Sequence, residues 1–575
     1  MRVQPSWRMI GVELAGLVLL SGVLAAPAQA VPVAGSLTGS PSGTVVSGED
    51  VRLTGSLPPA KARPIRLQSR LGTGVWRTVE KATSKRSGRF AFTVSVKAQP
   101  GRTRDFRVLA PAATVGGSRL PARRTPVVTY RFVMPTGALT TQRLVAEGGR
   151  LAATAAFGPA RKGRPVTLEG WDGFTWVQLG TGLQDAAGEV DFDVLAASEG
   201  VWRLRAWTGT WHGVGPTYTP ESVVHVQPSL DDGMFHACQV AVDATGWCWG
   251  WNAGGQLGDH TYVNRPEPQQ LSGSGWARIT GGASHTCGLK QDGTAWCWGT
   301  NNQGQLGDGT GDFSFDPVPV TGDWVALDAD AYHSCGIRSD GTLWCWGRNT
   351  SGQLGDGSLE QSLSPVNAGS DTDWVQVDTG YATTCGTRSD GSLWCWGAND
   401  VGQVGDGTTS PRYSPVRVGT DTDWAQVTAA DTWGCAVKTT GTLWCWGSNV
   451  NGTLGTGTFG GQSHAPVQVG TATTWVHVVG GTYQTCAARS DGTDWCWGLN
   501  QHGQLGTGVA GHSASPVQVV GTHWTGRLTS GGAFVCALDD ADVTWCWGEN
   551  TYGGIGDGTL GAANDRTTPT EVVWP

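Results

Sequence analysis

At 575 residues the chain is long enough for several domains, and 15% charged against 39% hydrophobic residues excludes a solvated disordered chain. Gly (88), Trp (30) and Cys (14) are abundant and Met (4) is scarce. The net charge of −8 is unevenly spread: residues 31–227 carry 25 basic and 13 acidic side chains, residues 228–575 carry 12 and 33.

Residues 1–30 read as a secretory signal peptide. Arg2 and Arg8 precede an apolar stretch from Leu14 to Ala26, then the small-residue pattern Ala28-Gln29-Ala30. The stretch falls short of the ~20 apolar residues that cross a bilayer. The chain is therefore expected to be secreted and extracellular, or cell-wall associated through non-covalent contacts, with no membrane span.

Residues 31–130 and 131–227 read as two copies of one unit. Pro64 and Pro165, Trp76 and Trp176, Gly88 and Gly188, and Phe92 and Phe192 recur at offsets of 100 or 101. Short runs alternate apolar and polar residues, which signals half-buried strands. Many such runs without helical periodicity predict a β-sandwich in each copy. The pair resembles bacterial immunoglobulin-like spacer domains, without their disulfide. Their positive charge offers attraction to an anionic cell-wall polymer. Trp207 and Trp211 are aromatic candidates, expected to pack rather than bind.

Residues 228–575 hold all 14 cysteines, as seven pairs ten positions apart; the first members recur every 48–51 residues. A period near 50 with four short apolar runs per unit predicts a closed propeller of four-stranded blades. The pieces HTCGLKQDGTAWCWGTNNQGQLGDGT and HSCGIRSDGTLWCWGRNTSGQLGDGS resemble repeats of the regulator of chromosome condensation family. The Asp-Gly turn, the Trp-Gly, the following Asn and Gly-Gln-Leu-Gly carry the likeness, which implies a seven-bladed propeller. The predicted fold is all-β: two immunoglobulin-like β-sandwiches followed by a seven-bladed β-propeller.

Folding Cys335-Gly-Ile-Arg back on Thr-Leu-Trp-Cys345 around Ser339-Asp340-Gly341 sets the two cysteines opposite each other. They fall on a non-hydrogen-bonded site, where Cα atoms lie ~4.5 Å apart, within reach of a disulfide. Disulfides are thus predicted for Cys238–Cys248, Cys287–Cys297, Cys335–Cys345, Cys385–Cys395, Cys435–Cys445, Cys486–Cys496 and Cys536–Cys546. The spacing does not suit zinc. His236, His285 and His333 are expected to pack or hydrogen-bond. Trp344 and Trp346 face small residues across the hairpin, so the repeated indoles are expected to fill the space between blades.

No catalytic or metal motif is found, and no cofactor is expected. The Gly-Asp-Gly-Thr loops supply one carboxylate each, too few for calcium. Asp371/Asp373 and Asp421/Asp423 would serve a glycosidase only by converging across blades. The leading expectation is an exported, non-enzymatic scaffold whose propeller loops recognise a protein or a cell-surface glycan. Tyr262, Phe313, Phe315, Arg412, Tyr413 and Phe459, in loops that break the repeat, are the candidate contacts. The alternatives are a secreted enzyme inhibitor, similar to β-lactamase-inhibiting propellers, and an extracellular carbohydrate-active enzyme. Nucleic acid is not an expected partner, because the array is strongly acidic. Export, disulfides and this charge also oppose the family's intracellular roles in nucleotide exchange and chromatin binding.

Overall fold

A computed structural model describes residues 31–575 except 48, 142–143, 147–149, 172–174, 196–199, 211–215, 228 and 522–523. The expected signal peptide and Trp211 lie outside the described residues. The chain divides into two compact units, one ending at Pro135 and one comprising Thr136–Gly209 and Pro216–Pro575.

In the first unit a three-stranded sheet (Ser36–Ser40, Asp50–Ser56, Arg89–Ser95) shares a core with a larger sheet. The larger sheet runs in the order Thr44–Val45, Val128–Phe132, Thr103–Ala110, Pro64–Leu71, Arg77–Thr83. Alternation places Leu53, Phe90 and Phe92 of one sheet against Ile65, Leu67 and Val108 of the other. Residues 136–227 repeat this strand order in two further sheets. Even the register shift recurs, at Leu67/Gln68 and Leu168/Glu169. Gly88 and Gly188 have φ of 76° and 92°, and a Cβ at either would lie 2.6 Å from a carbonyl oxygen, of Leu57 or Phe157. The recurring Trp76 and Trp176 lie at the surface side of their sheets, 4.0 Å beneath the guanidinium groups of Arg107 and Arg205.

From Leu230 onward, the described residues form seven antiparallel four-stranded sheets, each built from four strands consecutive in sequence. The two middle strands of every sheet form the cysteine hairpin in the expected register, with Cys335 opposite Cys345 and Gly336 opposite Trp344. All seven disulfides are present, with Cα–Cα distances of 4.0–4.1 Å. Such pairing fits an oxidising compartment.

The repeat motif is explained by what one sheet gives the next. Trp396 is fully buried, and its indole N–H donates to the Gln353 carbonyl of the preceding sheet (2.9 Å). The Gln353 side chain accepts the Ser351 amide, while Leu354 is buried and its amide donates to the Asn349 side chain. Gly355 lies against the Trp396 ring, where a Cβ would come within 2.6 Å of Nε1. The Asp-Gly turn serves the following sheet too: the Gly341 carbonyl accepts the amide of Trp374. The same contact closes the array on itself. Trp249 of the first sheet donates to the Gly554 carbonyl of the last (2.9 Å), and Thr544 donates to Gln239. Leu230, Ala237, Phe534 and Ile555 form one core across that junction.

Candidate functional site

His236, His285 and His333 are fully buried, and each Nε2 meets a hydroxyl of the next sheet: Thr286 (2.9 Å), Ser334 (2.8 Å) and Thr384 (2.9 Å). Burial pushes all three imidazoles down to about 3, so they are neutral fasteners. The Gly-Asp-Gly-Thr carboxylates bind their own turns; Asp308 accepts the Thr310 amide (2.9 Å) and the Asn301 side chain (3.2 Å). The paired acids are also committed. Asp371 and Asp373 hold Arg388, which stacks between Trp374 and Trp394; Asp421 and Asp423 hold Lys438. These pairs do not converge on one site.

Three of the six candidate contacts come together. Tyr262, Phe313 and Phe315 form a cluster with ring centroids 4.6 Å apart for Tyr262–Phe315 and 5.5 Å for Phe313–Phe315. Tyr262 and Phe313 are 54% and 56% exposed. Phe315 packs over Gly255 of the neighbouring sheet and supports the other two. His260 and Asp316 lie 3.4 Å apart in the same two loops. The other three candidates stand apart. Arg412 is held by Asp406 (Nε–Oδ2 2.6 Å), Tyr413 covers Gly352, and Phe459 lies on Gly452. Trp207 donates to Glu169 (2.7 Å) and stacks on Tyr218.

A second feature was not anticipated from the motifs. The first strands of all seven sheets contact one another in a closed ring and line a cavity of about 960 Å³. Its wall carries Asp231, Asp232, Asp328, Asp330, Asp378, Asp431 and Glu549, against Arg278 as the one arginine or lysine among the described lining residues. Arg278 bridges Asp231 (2.9 Å) and Asp328 (2.8 Å). Asp328 also accepts the amide and hydroxyl of Thr379 (both 2.7 Å), and Asp378 accepts the Ala429 amide (2.6 Å). These bonds tie one first strand to the next, as Thr280 and Thr428 do elsewhere in the ring. Burial raises these carboxyls: Asp231 to about 6, Asp330 to about 7, and Asp232, Asp328, Asp378 and Asp431 in the same direction. A sequence signal existed. Asp231, Thr280, Asp328, Asp378, Thr428, Val479 and Thr529 all stand seven residues before the first cysteine of their pair.

Among the described residues no group of three or more His, Cys, Asp or Glu is placed to hold a metal, and no helix is long and apolar enough to cross a membrane. Two family models of the regulator of chromosome condensation (RCC1) repeat match the chain. One covers residues 246–289, 292–337, 390–437 and 440–488, the other 276–305, 327–353 and 374–403. No curated protein matches. Yeast RCC1 (Prp20), solved bound to Kap60, is similar at 17% identity and TM-score 0.52, over 59% of this chain and 85% of that one. Prp20p from Saccharomyces cerevisiae, described with its binding to Gsp1p and histones, gives the same identity and TM-score over 59% and 87%. Human WBSCR16 aligns at 19% identity and TM-score 0.50, over 65% of this chain and all of that one. Residues 246–353 and 374–488 thus carry regulator of chromosome condensation (RCC1) repeats, and the array shares the β-propeller fold of these similar structures.

Proposed function

We propose that the protein is an exported, non-enzymatic binding scaffold. In this reading residues 1–30 are a signal peptide, residues 31–130 and 131–227 are immunoglobulin-like spacers, and 228–575 is a seven-bladed propeller whose loops recognise a protein outside the cell. The exposed cluster of Tyr262, Phe313 and Phe315 carries the proposal. Aromatic side chains held rigidly at a surface present large contact area at small entropic cost, as binding hot spots do. Support for a protein partner over a glycan comes from the similar Prp20 structures, described with protein partners. The seven disulfides support export.

The test is capture by the immobilised mature chain from secreted and cell-wall protein fractions, compared with the Tyr262→Ala/Phe313→Ala variant. The variant is expected to lose its captured protein while keeping its unfolding temperature. Equal capture by both proteins would overturn the assignment of the cluster.

A further inference from the structure

We propose that the outer face of the larger sheet in the first unit binds a linear polyol phosphate, a chain of uncharged polyols joined by phosphodiesters. The positive charge before the array belongs to one copy alone: residues 31–130 carry 17 basic and 4 acidic side chains, residues 131–227 carry 8 and 9. Pairing across Arg77–Thr83, Pro64–Leu71, Thr103–Ala110 and Arg123–Arg124 sets Lys81, Arg66, Leu109 and Arg124 side by side in one row. Lys81 and Arg66 are exposed. Arg107, two residues before Leu109 on the same face, packs on Trp76 together with Arg70 and donates to the neutral Gln68 (3.0 Å). Burial, then the neighbouring Arg124 and Arg70, push the Arg107 guanidinium below its usual value, as crowded like charges do. None of the four acids neutralises the row. Glu49 and Asp105 are buried, Asp105 being held by Arg70 and Thr129 (both 2.7 Å). Asp50 lies in the three-stranded sheet, and Glu80 pairs with the core residue Leu67, so alternation turns it away from Lys81.

The second copy shows that the fold does not require these charges. In the same register its row reads Thr181, Thr167, Trp207 and Tyr218, and the arginines of its matching strand have acids, Arg205 with Glu169 (2.9 Å) and Arg203 with Glu221. Guanidinium forks match phosphate oxygens, and cations one and two strand spacings apart, about 5 and 10 Å, meet charges separated along a chain. Leu109, between Arg66 and Arg124, then faces the uncharged polyol. A nucleic acid fits less well, because base stacking needs an open aromatic face and Trp76 is taken by two guanidiniums.

The test is calorimetric titration of the intact disulfide-bonded chain with poly(glycerol phosphate). The chain carries a net charge of −8, so saturable binding at about 50 mM salt, weakening as salt rises, is expected only from a local basic face. Arg66→Gln/Lys81→Gln, at two exposed positions, is expected to weaken binding at least about fivefold and flatten its salt dependence, with the unfolding temperature unchanged. Arg52→Gln/Arg89→Gln removes the same charge from the three-stranded sheet and is expected to bind normally. So is Tyr262→Ala/Phe313→Ala, which separates this face from the loop cluster. The proposal is overturned by absence of saturable binding, by undiminished binding to the Arg66/Lys81 variant, or by an equal loss in either control variant. Tighter binding to single-stranded DNA or to phosphatidylglycerol vesicles than to poly(glycerol phosphate) would overturn it too.

Discussion

Asp494 occupies the place that Leu343, Leu393 and Leu443 fill in three other sheets, one step inside the hairpin turn. It is 1% exposed, its carboxylate oxygens have no hydrogen-bonding partner among the described residues, and burial pushes its carboxyl up to about 7. An unfolded aspartate titrates near 3.9, so the native state holds the proton more tightly. The carboxyl therefore costs nothing below about pH 4, and its penalty grows to a plateau above about pH 7, reaching up to about 4 kcal/mol. Denaturant titrations of Asp494→Asn are expected to show a flatter pH profile and greater stability at pH 8; an unchanged slope would refute this account. Single residues were the least legible level in the sequence. Arg412 is of a type enriched at interfaces, but Asp406, six positions earlier, claims it, just as Asp259 claims Arg265. Phe315 and Tyr413 share a register with Leu363, His464 and Ala514, a packing position over a glycine of the preceding sheet. Only a comparison between repeats, position by position, separates that duty from recognition.

The hairpin was legible because it is local. Ten-residue spacing, an Asp-Gly turn and strict alternation leave one register that joins the sulfurs, and its consequence for stability follows from loop closure. Replacing Cys335 and Cys345 by alanine removes a short covalent loop and is expected to cost about 3 kcal/mol, measured by chemical denaturation under oxidising conditions. A loss near zero would mean that the fully buried hairpin holds itself. What lies between elements was harder to read, because partners about 50 residues distant are not marked by spacing. Gly-Gln-Leu-Gly is conspicuous in the sequence, yet its task, seating the Trp of the following sheet, emerges only in three dimensions. Gly355→Ala would press a methyl into the Trp396 indole at a residue with φ of 72°. A destabilisation of at least about 2 kcal/mol is expected, whereas Gly407→Ala, with open space around it, should show only the backbone strain of its positive φ.

Across the whole molecule, period and strand count made the array readable, while the polar ring around its cavity was not. Asp231, Asp328 and Asp378 sit among threonines and a valine at one repeat position, so chemistry varies where geometry is constant. The two-copy pattern before the array was likewise legible through its recurring Pro, Trp and Gly. Since the segment up to Pro135 has its own core, a fragment of residues 31–135 is expected to fold alone, with a cooperative unfolding transition and dispersed amide resonances. A random-coil spectrum would contradict that.

The junction between Trp249 and Gly554 carries a topological freedom. Because every sheet keeps its four strands to itself, the array has no privileged first sheet. Joining residue 573 to residue 229 by a short linker and opening the chain between two later sheets should yield a circular permutant with the same seven cystines. Such a molecule would carry its chain ends between two later sheets without unravelling the ring.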